Sequence, residues 1–398
     1  MAALRSSRAV AVALVTFATF TDMVAYSVAA PVLPDLSGKL GASPTVIGLL
    51  FASFGVTLLV VSMPMGAVSD RIGRKAPMVG GLLALAAASI LFAFANSLPW
   101  LFAARLVQGA ADAVTWVAGL ALVADLYDQD EHGPVMGLVM GGTNFAFMFG
   151  PSIGGWLYES GGMRLPFLFV AALALAGAAA FLWFEIPHRR VPHDPVPIGT
   201  VLRVPAVAAC AAAVVAASAT IAMLEPVLPL FLTARLGIGP ARVGLIFGIG
   251  AVASTALHPL YGRLVNRFGA RRLTMIALVL VACVLPLLSL ISGFRSAVGL
   301  YVLSTSAVAL VITPSLAYMA EATASAGVGS FGVGYGLYNM AWGAGLMGGP
   351  AFAGFVFERV GFAWLTLAWS PLLIVVTLLL ARVQSSTGTN GTRRGVRL

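Results

Sequence analysis

The sequence predicts an all-α integral membrane protein with about twelve transmembrane helices in two six-helix halves. Hydrophobic residues make up 60% of the 398 residues and charged residues only 9%, whereas a soluble domain carries about 25% charged residues. At roughly 20 apolar residues for each spanning helix, a chain of this length has room for about twelve. The apolar runs are continuous and rich in Leu and Ala, unlike the short alternating strands of a β-barrel.

Apolar runs bounded by polar or turn residues predict the helices in chain order. Those of the first half lie at Val10–Pro34, Val46–Val68, Pro77–Phe94, Leu98–Asp125, Val135–Tyr158 and Pro166–Glu185. Those of the second half lie at Val204–Thr233, Val243–Val265, Leu273–Ser292, Val298–Met319, Gly332–Phe357 and Ala363–Val383. The polar run His188–Pro195 separates them. We therefore expect an N-terminal half over residues 1–187, a cytoplasmic linker over 188–200, a C-terminal half over 201–384 and a cytoplasmic tail over 385–398.

The two halves repeat each other in sequence. Pro31-Val32-Leu33-Pro34 recurs as Pro226-Val227-Leu228-Pro229. A charged run recurs as well, with Gly262, Asn266-Arg267, Gly269 and Arg271 in the places of Gly66, Asp70-Arg71, Gly73 and Lys75. Parallel repeats of this kind predict a substrate site between the halves, near the middle of the bilayer.

The distribution of Lys and Arg predicts the orientation. Basic residues gather at one set of helix ends, which is the positive-inside pattern, so both termini are expected in the cytoplasm. The net charge of +9 has the same origin and does not indicate nucleic-acid binding. The short first outer loop favours a bacterial inner membrane over a vesicle membrane.

The run from Gly66 to Lys75 is a compact charged reversal between two apolar segments. It resembles the loop between helices two and three of major facilitator superfamily transporters, and the resemblance implies the major facilitator fold. It also implies that the turn pairs with Asp125, at the end of helix four, and with helix eleven to close a cytoplasmic gate. The residues that match the motif are Gly66, Asp70, Arg71, Gly73, Arg74 and Lys75.

Four charged residues lie well inside predicted helices, away from the helix ends: Asp22, Arg105, Asp112 and Glu225. Charges at the bilayer centre cost on the order of 2.5–3.5 kcal/mol or more, so those present usually have a task. Burial favours the neutral form of a carboxylic acid, so Asp22 and Glu225 can each hold either a proton or a cationic substrate. Alternatively, an acid pairs with Arg105 as a structural ion pair. This applies most to Asp112, which follows Arg105 by seven residues on the same helix face.

Two further segments resemble motifs of the same superfamily. Arg105-Leu106-Val107-Gln108-Gly109 is similar to its helix-four motif, whose arginine is linked with proton coupling. Helix five resembles its antiporter motif, with Ala146 in place of one glycine, and Pro151 is expected to kink the helix. This second resemblance favours an antiporter, and its hinge residues are Gly150, Pro151, Gly154 and Gly155.

The segment Ala222-Met223-Leu224-Glu225-Pro226 looks like the vesicular amine transporters and their bacterial relatives, which exchange protons for monoamines, acetylcholine or cationic drugs. The resemblance implies that Asp22 and Glu225 meet the amine. Three positions depart from it, where Phe54, Asn339 and Ala309 stand in place of a lysine and two aspartates of the vesicular proteins. Fewer acids suggest a simpler, polyspecific exchanger.

Helix eleven adds aromatic and amide side chains that suit a cationic amine. Tyr335, Tyr338 and Trp342 offer ring faces to a cation, and Asn339 can form a hydrogen bond with a ligand. Aromatic residues in membrane helices also serve in packing or as interface anchors, which remains the alternative for each of the three.

These patterns favour a proton-coupled antiporter that exports organic cations such as monoamines or amphiphilic drugs. The alternatives are an exporter or facilitator of neutral solutes such as sugars, and a non-transporting sensor on the same scaffold. The sequence has neither a nucleotide-binding loop nor a Cys/His metal cluster, so we expect no enzyme, no catalytic residues, no metal and no cofactor. The expected energy source is the proton gradient. The expected partners are a small cationic molecule, protons and lipid, and the chain is expected to be a monomer.

Overall fold

The computed structural model describes residues 8–127, 129–186, 203–325 and 331–383. Within them, eleven α-helices follow one another. They are α1 Arg8–Lys39, α2 Pro44–Ile72, α3 Lys75–Ala93, α4 Leu98–Leu126, α5 Gln129–Gly161, α6 Arg164–Trp183, α7 Pro205–Leu236, α8 Pro240–Phe268, α9 Ala270–Val284, α10 Phe294–Ser325 and α11 Phe331–Arg382. A 3₁₀-helix, Leu285–Leu290, extends α9. The predicted linker 188–200 and tail 385–398 lie outside the described residues.

The predicted count of about twelve separate helices is not confirmed. The predicted eleventh and twelfth helices form the single element α11, which is broken only at Gly361 with φ 80° and ψ 177°. A residue without Cβ adopts this positive φ at no steric cost, so the chain changes direction there without a loop. Helix ends also extend beyond the apolar runs, because polar residues at the membrane surface continue the helical hydrogen bonds.

Ten of the helices are long and apolar enough to cross a membrane. The glycine-rich helix α5 is not among them, although at 33 residues it is among the longest. The protein is therefore a multi-pass membrane protein whose backbone polar groups are satisfied within helices, as the bilayer requires.

Two pairs of helices join the halves side by side. Helix α2 runs along α11, and α5 runs along α8, while α1 and α7 meet between them. Helix α7 is the most enclosed of the ten candidate spans, since 72% of its most apolar 18-residue stretch is buried. Side chains on α1 and α7 therefore reach the interior between the two halves.

The sequence repeat corresponds to the same contacts in both halves. Lys75 donates hydrogen bonds to the carbonyl oxygens of Leu182 and Phe184, at 3.3 and 2.9 Å. Its counterpart Arg271 donates to the carbonyl oxygens of Leu380 and Ala381, at 2.7 and 3.0 Å. In each half a basic residue thus satisfies the free carbonyls at the end of another helix.

The halves approach each other closely at the end of the bundle that carries residues 40–43 and 237–239, which we call the closed end. Glu159 of α5 accepts a hydrogen bond from the backbone N–H of Ala241 at 2.9 Å. Glu358 of α11 accepts from the Ser43 hydroxyl at 2.8 Å and from the Thr45 N–H at 2.9 Å. The other described hydrogen bonds between the halves lie at this end or deeper along the bundle. We call the opposite end, where Gly73 and Gly269 turn the chain, the motif end.

Candidate functional site

Glu225 lies where the two halves meet. It is 7% exposed, on α7 beside Pro226, and both of its carboxylate oxygens lie within hydrogen-bond distance of the Tyr26 hydroxyl on α1, at 2.9 and 2.7 Å. Tyr26 is one helical turn closer to the closed end than Asp22, so Glu225 meets a tyrosine of α1, and Asp22 lies at a different depth along the same helix. The contact joins the central helices of the two halves directly.

Arg105 is fully buried next to this contact, in a setting made mostly of rings. Its guanidinium carbon lies 4.6 Å from the ring centre of Phe51, 5.6 Å from Phe54 and 6.0 Å from Tyr26. It donates one hydrogen bond to the Gln108 side chain at 2.8 Å, while its Nε has no partner. The planar guanidinium suits this stacking, which a lysine could not reproduce. Arg105 therefore supplies positive charge beside Glu225 without an ion pair to it.

Asp22 and Asp112 form a second acidic centre between α1 and α4. Asp22 is 1% exposed. One of its oxygens accepts a hydrogen bond from the Thr115 hydroxyl, and the other has no partner. Asp112 is half-buried, close enough to repel the Asp22 charge, and hydrogen-bonded to Trp116. Of the described ion pairs, none joins Asp112 to Arg105. Asp112 thus faces Asp22 and not the arginine on its own helix.

The predicted residues of α11 divide between different surroundings. Trp342 packs at the junction of the halves against Phe54, Ala222 and Leu346. Tyr338 stacks on Trp342 with ring centres 6.4 Å apart, and its hydroxyl donates to the Ile312 carbonyl at 3.4 Å, within the second half. Asn339 is exposed. The side chain of Tyr335 lies outside the described residues. Of this group, Trp342 lies nearest to the Tyr26–Glu225 contact.

Phe54 is the departure from the vesicular pattern with the clearest structural consequence. It is buried, packs on Tyr26 with ring centres 5.1 Å apart, and belongs to the ring group around Arg105. A lysine here would place a second cation beside Arg105 in an apolar setting. Ala309, another departure, is buried on α10.

The glycines of α5 bring that helix against both halves. A Cβ added to Gly154 would lie 2.8 Å from the Cα of Val28 on α1, and one added to Gly155 would lie 2.8 Å from the Cα of Ala241 on α8. Gly150 likewise faces Ser27. Pro151 lies inside the continuous helix. In this structure these residues permit close packing, and a hinge role for them stays a prediction.

The charged reversal is shorter than the sequence suggests, because Gly66 and its neighbours continue α2 to Ile72. Gly73, at φ 85°, turns the chain. Arg74 contacts Asp125 at 2.8 Å and Asp70 at 2.5 Å, whereas Arg71 is exposed. Of the described hydrogen bonds and ion pairs, none joins the turn to α11. The arginine that meets Asp125 is therefore Arg74, because Gly73 redirects the chain between the two.

The Arg74–Asp125 pair allows a matched test of stability at the motif end. The two side chains are 13% and 9% exposed, whereas the Asp70 side chain is 59% exposed. Removing one partner of a buried pair costs on the order of 3 kcal/mol, and an exposed pair contributes below about 1 kcal/mol. We expect Asp125→Asn to lower the thermal unfolding midpoint in detergent clearly, and Asp70→Asn to change it little. Equal midpoints for the two variants would contradict this prediction.

Sequence reasoning missed Tyr26, Thr115 and the rings around Arg105. Tyr26 carried one usable signal, since it lies on the same helix face as Asp22 one turn further along. Thr115 and Phe51 carried none, because Thr and Phe are ordinary residues of membrane helices. Only the packing of α2 and α4 shows that they surround charged groups.

Two repeats that enclose buried charges at their junction, and close together at one end, are typical of a membrane transporter. The family profile described as Major Facilitator Superfamily matches residues 15–219 and again residues 208–395. The chain belongs to this superfamily.

Its relatives include vesicular transporters of amines and of acetylcholine. The human synaptic vesicular amine transporter is 28% identical over 322 residues, which cover 80% of this chain and 63% of that protein. The rat vesicular acetylcholine transporter is 29% identical over 357 residues, covering 84% of this chain and 66% of that one. The chain thus matches less than two thirds of the length of these relatives.

Among solved structures, the fold is similar to that of a bacterial homologue of the human lysosomal transporter Spinster, in an inward-facing and occupied conformation. The TM-score is 0.79 at 14% sequence identity, with 93% of this chain and 95% of that chain covered. At this identity the likeness is one of fold.

Proposed function

We propose that this transporter is a proton-coupled antiporter that exports organic cations, such as monoamines or amphiphilic drugs, by alternating access. The observation that carries the proposal is the buried carboxylate of Glu225 between the two halves, held by Tyr26 across their junction. A carboxylate there binds either a proton or an ammonium group, and both compete for the same oxygens. The amine and acetylcholine transporters among the relatives support a cationic substrate.

Asp22 and Asp112 supply a second centre in the proposed pathway. One oxygen of Asp22 is buried and without a partner in the protein, which is costly unless the group is protonated or meets a ligand. The aromatic rings around the junction, including that of Trp342, offer faces on which a cation can bind. Occupancy of the two acidic centres in turn would carry one substrate out and protons in.

The basic residues of the motif end support a cytoplasmic position for that end under the positive-inside pattern. The closed end then faces the outside of the cell. In this assignment the structure represents the inward-facing state, in which substrate binds from the cytoplasm. We place the protein in a bacterial inner membrane, with both termini in the cytoplasm, acting as a monomer. It needs no cofactor, because the proton gradient supplies the energy.

The test uses purified protein in proteoliposomes with an imposed pH gradient and a pH-sensitive dye inside. Monoamines and quaternary ammonium cations are added in turn, with protein-free liposomes as the control. A quaternary cation has no dissociable proton, so proton movement on its addition cannot arise from diffusion of a neutral amine. Cation-dependent proton movement supports the proposal. Uptake of labelled sugars without proton movement by any cation would favour a facilitator of neutral solutes.

A further inference from the structure

The Tyr26–Glu225 contact does more than bury a polar pair, because it ties α1 of one half to α7 of the other. Tyr26 is held in place by Phe54, whose ring packs on it, and Phe54 in turn packs on Ala222 and Leu346 of the second half. The hydroxyl is therefore fixed relative to both halves in the arrangement with the closed end shut.

The strength of this contact depends on what Glu225 holds. A hydrogen bond to an ionised carboxylate is roughly twice as strong as one between neutral groups. A proton on Glu225 makes the pair neutral, and a substrate ammonium competes for the same oxygens. The contact is thus strongest when Glu225 is ionised and empty. The other charged or titratable groups that act on the pair are Arg105, Asp112 and Tyr301.

We infer that Tyr26 is a positioning residue that restrains the empty, ionised transporter from changing its access state. An antiporter must cross loaded with either partner, and a crossing of the empty form uncouples the exchange. A restraint that weakens when Glu225 is occupied meets this requirement. The inference extends the proposed function and depends on it.

The test compares two modes of transport in Tyr26→Phe. Vesicles preloaded with a labelled quaternary cation are diluted at alkaline pH, where protons are scarce, into buffer with or without unlabelled cation. Exchange needs only the loaded form to cross, whereas net efflux needs the empty form to return. We expect the ratio of net efflux to exchange to rise roughly 10-fold or more, from the loss of a hydrogen bond to a charged group. Tyr261→Phe is the matched control, since its hydroxyl donates to the Ser306 carbonyl inside the second half.

The outcomes separate this inference from the proposed function. If wild-type protein exchanges no cation, the proposed function fails. If exchange occurs and Tyr26→Phe leaves the ratio unchanged, or lowers both modes equally, the inference on Tyr26 is overturned. Combining Tyr26→Phe with Glu225→Gln should add little to the effect of Glu225→Gln alone, because Tyr26 acts through the charge of that carboxylate and only a weaker, neutral hydrogen bond remains to be lost.

A different observation concerns the closed end, where two acids cross between the halves in equivalent ways. Glu159 ends α5 and accepts from the N-terminus of α8. Glu358 accepts from the N-terminus of α2. Because α5 corresponds to α11 and α8 to α2 in the repeat, the same contact occurs twice. In each case a carboxylate of one half satisfies free N–H groups and the positive end of a helix in the other.

The geometry points to Glu159 and Glu358 as two equivalent residues whose hydrogen bonds stabilise the closed arrangement of this end. Both contacts must break when α8 separates from α5, and α2 from α11. Each lies at the rim, where small residues such as Gly48 and Gly354 already bring backbones together. The pair would therefore set the balance between access states without touching the substrate.

Labelling of a single cysteine measures this balance directly. Ala30 is 4% exposed and packs against the core of the second half, so Ala30→Cys reacts with an external maleimide only when the closed end opens. Cys210 and Cys283 are replaced by alanine in this background. Carboxylate interactions at a helix N-terminus predict that Glu159→Ala with Glu358→Ala raises the labelling rate roughly 3- to 30-fold.

Each single variant should account for part of the effect, since the two sites are independent. Glu185→Gln is the control, because Glu185 is an exposed acid at the motif end. Full labelling after denaturation establishes that the cysteine is reactive. An unchanged rate in the double variant would overturn the inference, whatever the protein transports.

Discussion

Asp22→Asn and Glu225→Gln are each expected to reduce cation-dependent proton movement by about 100-fold or more, as loss of a buried charge interaction predicts. Both substitutions keep the size of the side chain and remove its ionisation. Asn at position 22 can still accept from Thr115, and Gln at position 225 can still accept from Tyr26. The packing is therefore preserved, while neither residue can exchange a proton for a cation.

The measurement is dye-reported proton movement in proteoliposomes, with Glu185→Gln as the control acid at the motif end. Unchanged elution in size-exclusion chromatography shows that a variant is folded. Wild-type proton movement in both variants would contradict the assignment of proton–cation exchange to Asp22 and Glu225. Loss in Glu225→Gln alone would leave a single exchange centre at the junction of the halves and assign Asp22 a structural role.

Arg105→Ala is expected to reduce proton-driven cation transport by about 100-fold or more, since truncation removes a buried charge from its partners. The variant removes the cation that acts on Glu225 and leaves space among Phe51, Phe54 and Tyr26. The ionised form of Glu225 then loses the attraction of that charge. Exchange between two pools of cation, which needs no proton release, should fall less than proton-driven transport does.

Arg105→Lys separates the charge from the planar shape. It keeps the charge but cannot stack on three rings or place a fork of donors toward Gln108, so we expect an activity between those of wild type and Arg105→Ala. If Arg105→Lys were as inactive as Arg105→Ala, geometry and not charge would decide. If both variants retained full proton-driven transport, Arg105 would have only a packing role.

The amino-acid sequence by itself determined that this protein lies in a lipid bilayer. Its shortage of charge and its long apolar runs require a bilayer, because solvation depends on composition and adds along the chain. The rare charged residues Asp22, Arg105, Asp112 and Glu225 can also be recognised from the sequence, because each interrupts an apolar run. The repeat and its motifs then identified the superfamily.

Which groups meet was decided only by the tertiary structure. Asp112 shares a helix face with Arg105 and yet lies beside Asp22, and Asp125 meets Arg74 instead of Arg71. Tyr26 reaches Glu225 from 199 positions away in the chain, and a single non-helical residue, Gly361, makes the break within α11. Pairing between helices depends on their rotation, depth and approach distance. These follow from the packing of the whole bundle, whereas helical periodicity describes only one helix at a time.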